Sequence, residues 1–238
     1  MVNIFDPNKL DDLAADSVQK QLGEQAHLEG LLVELKDKLA KLPEDASPMA
    51  RAEIQLEMGR SLQVLERGSE AWPLAHAAFT TFINDHAWEL AADACDVLYQ
   101  TGEDQALPAL GQGIWLGVTF PIDPEISVHL LSHVIDDTPD DSDGAAVAAA
   151  TACFLADIRA PEGPERERLT FFAQQLLGKV ARRHSQIETQ DQFNFWIERL
   201  ELNDPDKFLA RLRNVVDVLV QDDWWFDRDA LQASIPAN

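Results

Sequence analysis

Residues 47–108 read SPMARAEIQLEMGRSLQVLERGSEAWPLAHAAFTTFINDHAWELAADACDVLYQTGEDQALP, and this stretch decides the fold class. Ser47-Pro48 pairs an N-capping hydroxyl with proline at the first helical position, a start signal for a helix. Leu56, Met58, Leu62 and Leu65 then recur three or four residues apart, the period of one helix face. Gly68 is expected to end that helix. A second helix is expected over 70–83, and a third over 87–100, ended by Gly102. Glu70-Ala71-Trp72-Pro73 and Glu103-Asp104-Gln105-Ala106-Leu107-Pro108 open comparable helices 33 residues apart.

Outward from this stretch the pattern continues. Asp6-Pro7 opens an N-terminal helical segment, residues 1–45. Its stripe of Leu28, Leu31, Leu32, Leu35 and Leu39 is interrupted upstream by Gly23 and Gly30. One long kinked helix or two helices fit that pattern, and residues 10–39 offer a dimerising face. On the C-terminal side, helices are expected over 104–118, 124–135 and 143–158, with Asp143 capping the last of these. The alanine-rich run 144–156 reads as a buried helix. Glu162-Gly163-Pro164 opens a longer helix through His184, followed by helices over 189–200 and 205–220. Hairpin dipeptides between alternating runs are missing, so the chain is all-α, built of antiparallel helix pairs with short connections. Three parts follow: the segment 1–45, an acidic helix-pair core over 48–158, and a helical cap over 162–238.

The interval of 33 residues suits a helix–turn–helix repeat of about 34. Met58-Gly59-x-x-Leu62, followed by Ala71 and Ala78, resembles the tetratricopeptide pattern of large-small-x-x-large with small residues in the second helix. The resemblance covers one repeat. The next, around Trp88, Ala91, Ala92 and Cys95, departs from it, and the third interval stretches to 40 residues, Glu103 to Asp143. It implies a short irregular solenoid of stacked helix pairs. The other reading of the same residues is an irregular helical bundle.

Composition narrows the function. The 238 residues carry 42 acidic and 19 basic side chains, a formal charge of −23. Binding to nucleic acid or to an anionic membrane surface needs clustered Lys and Arg, so both are disfavoured. Hydrophobic residues at 46% and charged ones at 26% are ordinary for a globular chain. The longest uncharged stretch, 105–122, is broken by Pro108, three glycines and Pro121, too interrupted to span a bilayer. The start has neither a basic region nor an apolar run, so no secretory signal is expected. Cys95 and Cys153 stand far apart in apolar helical contexts, which points to buried thiols and a cytoplasmic setting.

The charge is unevenly placed. Residues 1–67 carry −5 and residues 159–238 carry −3. Between Arg67 and Arg159 there is no Lys or Arg, and that stretch carries −15. Its carboxylates face water, receive cations from the flanking parts, or meet an external cation. The functional reading is a surface for a basic protein partner, with Asp93, Asp96, Asp136, Asp137, Asp140 and Asp141 as candidate contacts. The plainer reading is a solvated or salt-adapted surface, in keeping with 25 Asp against seven Lys.

Three further features carry chemistry. His129 and His133 share a helix face at i, i+4 and, with Asp137, form a candidate site for a transition metal. The Glu of a His-Glu-x-x-His motif is missing, and a hydrogen-bonded histidine pair is the alternative. Asp136 to Gly144 fails as an EF-hand, because Pro139 and Ala150 fall where carboxylates are required. Arg182-Arg183-His184 is the compact basic cluster, placed to answer the acidic stretch. Trp224-Trp225-Phe226 either folds back on the core or serves as a partner-binding hot spot. No phosphate loop, nucleophile elbow or bound cofactor is implied.

The sequence therefore points away from an enzyme and toward an interaction protein, an adaptor or assembly chaperone, with a basic or partly unfolded protein as partner. Bacterial maturation chaperones for redox enzymes are similar in bulk properties, but none of their motifs is present. The alternatives are a metal-dependent helical protein using His129, His133 and nearby carboxylates, and a structural protein that self-assembles through residues 10–39, with a homodimer as its simplest form.

Overall fold

The computed structural model describes the backbone of residues 7–233 and 235, and the side chains of 19, 20, 22–233 and 235. Among the described residues there are eleven helices and no strand. They are α1 (Pro7–Ala40), α2 (Pro48–Val64), α3 (Gly68–Asn84), α4 (Trp88–Gln100), α5 (Ala106–Thr119), α6 (Pro124–Asp137), α7 (Asp143–Arg159), α8 (Pro164–Ser185), α9 (Gln190–Arg199), α10 (Pro205–Val220) and α11 (Arg228–Ala233). Asp6, the expected first cap, lies outside the described residues.

Helix starts follow the expected chemistry. The Ser47 hydroxyl accepts from the Ala50 N–H at 3.2 Å, with Pro48 behind it. Asp123 accepts from the Glu125 N–H at 2.8 Å ahead of Pro124. Thr189 and Gln192 form a reciprocal capping box at the start of α9. Two boundary expectations are corrected. Gly68 does not end α2; it is the first residue of α3. The left-handed position that closes α2 is taken by Glu66 at φ 59°, and the Arg67 N–H reaches back to the Leu62 carbonyl at 2.9 Å. His86 and Glu201 close α3 and α9 in the same way. Asp143 does not cap α7 either. Ser142 holds the N-cap position, and Asp143 is spent on ion pairs with His184 and Arg211, each at 3.1 Å.

From α1 to α9 each helix packs on the next, an arrangement compatible with a helical repeat. The strongest contacts join α2 to α3, α4 to α5, and α6 to α7. The first helices of these pairs also touch in the order α2, α4, α6, and α8 extends that row. The chain then returns: α10 lies across α5 and α7, on the side of the second helices. The alanine run of α7 is buried as expected, since Ala145, Ala146, Ala148, Ala149, Ala152 and Ala156 have no exposed surface. Their small side chains let α6, α8 and α10 all approach one helix.

One hydrophobic core runs from Ala52 to Val220. A smaller one joins Leu32 and Leu35 of α1 to Ile54, Met58 and Leu62 of α2 and to Ala71. Leu31 and Leu39 pack against the same cluster. The leucine stripe that offers a dimerising face thus covers α2 within the chain, while Leu22 and Val33 remain exposed. Among the described residues no helix is long and apolar enough to cross a membrane.

Candidate functional site

The row of first helices forms a groove of about 630 Å³. Arg60 enters it from α2, Asp93 and Asp96 from α4, Glu125, Ile126, Val128 and His129 from α6, and Arg168, Leu169 and Phe172 from α8. Four successive first helices therefore contribute to one concave surface. Its floor carries Ile126, Val128, Leu169 and Phe172, and Phe172 is 46% exposed despite its size.

The groove's charges are arranged in cross-helix pairs. Arg60 donates to Asp93 and also lies near Glu57 at 3.6 Å. Burial works against the Arg60 charge, but the hydrogen bond and field of Asp93 outweigh it and hold the guanidinium above its ordinary value. Arg168 donates to Glu125. Asp96 is 7% exposed and meets both histidines of α6. His133 Nε2 stands 2.7 Å from its Oδ1, and His129 Nε2 stands 3.6 Å from its Oδ2. The Gln100 side-chain amide donates to the same carboxylate at 2.6 Å.

The other candidates sit elsewhere. Asp136 pairs with Lys179 of α8 at 2.6 Å. Asp137 accepts from the Tyr99 hydroxyl and lines a separate apolar cavity of about 380 Å³ between α4, α5, α6, α7 and α10. His133 lines this cavity too, and its ring lies 4.6 Å from that of Tyr99. The carboxylate grouped with His129 and His133 is that of Asp96. Asp140 and Asp141 are exposed in the α6–α7 turn, with no ion pair among the described residues. Trp224, Trp225 and Phe226 are half-buried against the second helices. Trp225 stacks edge-on with His76 and Phe79 at 4.8 and 5.3 Å, and its backbone N–H donates to the side-chain Oε1 of the buried Gln112 at 3.0 Å. Phe226 meets Trp115 at 5.3 Å.

Cations from the flanking parts answer a large share of the acidic stretch. Arg67 pairs with Glu70, Arg166 with Asp157, and Arg211 with Asp143. Of the basic cluster, Arg183 donates to the Ile135 carbonyl at the end of α6, and His184 pairs with Asp143. Among the described residues, carboxylates without an ion pair include Glu103, Asp104, Asp140 and Asp141, all in turns that join the two helices of a pair.

The cysteines carry no nucleophile. Burial raises the Cys95 thiol well above its ordinary range, with Asp96 and Asp93 adding to the effect. Burial pushes Cys153 up to about 11.

Asp96 was missed as a neighbour of the histidines, yet a signal for it exists. Arg60 meets Asp93 at a separation of 33 residues, Glu89 meets Asp123 at 34, and Asp96 meets His133 at 37. Residues 33 to 37 positions apart thus become neighbours on adjacent first helices, so an interval of that length also predicts partners. No family model, curated protein or solved structure matches this chain.

Proposed function

We propose that the chain is a protein-interaction module, an adaptor or assembly chaperone, that takes a Lys- or Arg-bearing segment of a partner protein into the groove of its first helices. The observation that carries this is the groove itself: an apolar floor of Ile126, Val128, Leu169 and Phe172, with carboxylates Asp93, Asp96 and Glu125 from a stretch devoid of Lys and Arg. Stacked helix pairs offer extended concave surfaces of this kind for binding. The close approach of Gly59 to Ala71 and Ala75 supports a degenerate tetratricopeptide-like origin for the first pair. The net charge of −23 steers a basic segment inward, and the exposed phenylalanine supplies apolar contact once it arrives. Arg60 and Arg168 already satisfy Asp93 and Glu125, so an arriving cation competes for these carboxylates and does not meet bare charge.

A photo-crosslinking residue in place of Phe172 tests the assignment, with Phe195 as control, because Phe195 is also exposed but lies outside the groove. The expected result is crosslinking from position 172 to Lys- or Arg-rich protein segments, weakened by salt, and little from position 195. Equal labelling from both positions, or salt-independent labelling, would contradict it.

A further inference from the structure

The groove wall holds a second feature, which shares Asp96 with the proposed partner surface but needs no protein partner. Asp96, His129 and His133 place one carboxylate oxygen and two imidazole nitrogens within 4.8 Å of one another. We propose that these three side chains form a binding site for a divalent transition metal ion, of the Zn²⁺ or Co²⁺ type.

Four observations support the site. Both imidazoles direct Nε2 at the same carboxylate, at 2.7 and 3.6 Å. Ligand atoms around a tetrahedral ion with bonds of about 2.0–2.2 Å stand roughly 3.3–3.6 Å apart, so the His129 separation already fits, and the His133 contact, a hydrogen bond to the other oxygen, widens by less than about 1 Å to admit the ion. The ligands come from helices, with His129 and His133 one turn apart on α6 and Asp96 fixed on α4, which sets them more firmly than loop residues. Asp96 is held from behind by the Gln100 amide at 2.6 Å, the kind of outer partner that orients a metal-bound carboxylate. The surrounding charge favours a cation. α4 and α6 carry no Lys or Arg, and the nearby guanidinium of Arg60 is drawn to Asp93.

Two imidazoles and one carboxylate suit the transition series and not Ca²⁺ or Mg²⁺, which prefer oxygen ligands. Three protein ligands leave at least one coordination position free. Asp96 and His129 line the groove and His133 lines the neighbouring cavity, so the site lies in the wall between the two. A ligand there would come from water or from a donor atom brought into the groove.

The test uses the full chain, stripped with EDTA and titrated with Co²⁺, whose visible absorption reports coordination, and then with Zn²⁺ in competition. One equivalent of Co²⁺ is expected, with Zn²⁺ displacing it. His129→Ala, His133→Ala and Asp96→Asn should each weaken binding by about 10–100-fold or more, since even outer-shell partners of a metal contribute that much. His27→Ala, an exposed histidine on α1, should leave binding unchanged. His129→Ala is the primary variant because its side chain is the most exposed of the three. A thermal melt with and without Zn²⁺ gives a second readout: the ion should raise the wild-type midpoint and leave that of His129→Ala in place. Absence of stoichiometric Co²⁺ binding, or equal affinity in wild type and His129→Ala, would overturn the site.

Discussion

At the scale of the residue, small side chains and unusual backbone angles set how closely the helices approach. A Cβ at Gly59 would lie 3.3 Å from the Ala75 Cβ and 3.5 Å from the Ala71 carbonyl oxygen, so α2 and α3 meet where both are small. The sequence displayed this contact, because Met58-Gly59-x-x-Leu62 and the alanines of α3 stand at pairing positions. It hid the left-handed residues. Glu66, His86 and Glu201 adopt a conformation that glycine favours, and nothing in their side chains announces it. A left-handed non-glycine residue costs about 1 kcal/mol, so Glu66→Gly should raise stability by up to roughly that amount. The urea midpoint checks this, and a fall would show that the Glu66 side chain matters more than its backbone. His76 gives a pH dependence. Burial against Trp225 and Trp72 lowers its proton affinity in the folded state. The unfolded chain therefore takes the proton first as pH falls through about 6.5, and the folded state loses stability from there downward. The urea midpoint of the wild type should drop more between pH 8 and pH 5.5 than that of His76→Gln. Equal drops would show that His76 does not contribute.

At the scale of the element, arginines close the ends of helices far from them in sequence. Arg159, at the end of α7, donates to the Gly117 and Val118 carbonyls at 2.5 and 2.6 Å, finishing α5. Arg183 does this for α6, and Arg211 donates to the Leu200 carbonyl after α9. These contacts span about 40 residues in the first two cases and so were invisible to local patterns, whereas N-terminal caps such as Ser47 are local and legible. Arg159→Met keeps the length of the side chain but removes the donor to the Val118 carbonyl, while the Gly117 carbonyl keeps the Ser127 hydroxyl at 2.9 Å. It should cost about 1–3 kcal/mol, read as a shifted denaturation midpoint with an unchanged slope. A shift below about 0.5 kcal/mol would mean that water replaces the guanidinium without loss.

At the scale of the whole molecule, the helical periods and turn residues determined an all-α stack, and the chain follows them almost boundary for boundary. What the periods left open is the return of α10 across α5 and α7, and the use of Trp224, Trp225 and Phe226 to cover the second helices. Such long-range closure depends on surfaces that exist only once the stack has formed. Trp225→Ala should destabilise the chain by about 2 kcal/mol, part of the cost of a fully buried tryptophan, because its side chain is partly exposed. Thermal unfolding would show it, and an unchanged midpoint would mean that the tail does not hold the second-helix face. The charge asymmetry was legible as a number, −15 over 68–158, but not its disposition. Flanking cations reach over and pair with Glu70, Asp93, Glu125, Asp136, Asp143 and Asp157. The face proposed for a partner is the mixed apolar and acidic groove of α2, α4, α6 and α8, where Arg60 and Arg168 already pair with Asp93 and Glu125. Its most direct test is the affinity of the full chain for Lys/Arg-rich peptides with interspersed apolar residues, set against acidic peptides of matched length. The account predicts a preference for the basic set that weakens as salt rises from about 50 to 500 mM, and a loss of about five- to tenfold in Phe172→Asp, the effect of removing one apolar anchor. Equal affinity for both peptide sets, or a Phe172→Asp protein that binds as the wild type does, would contradict it.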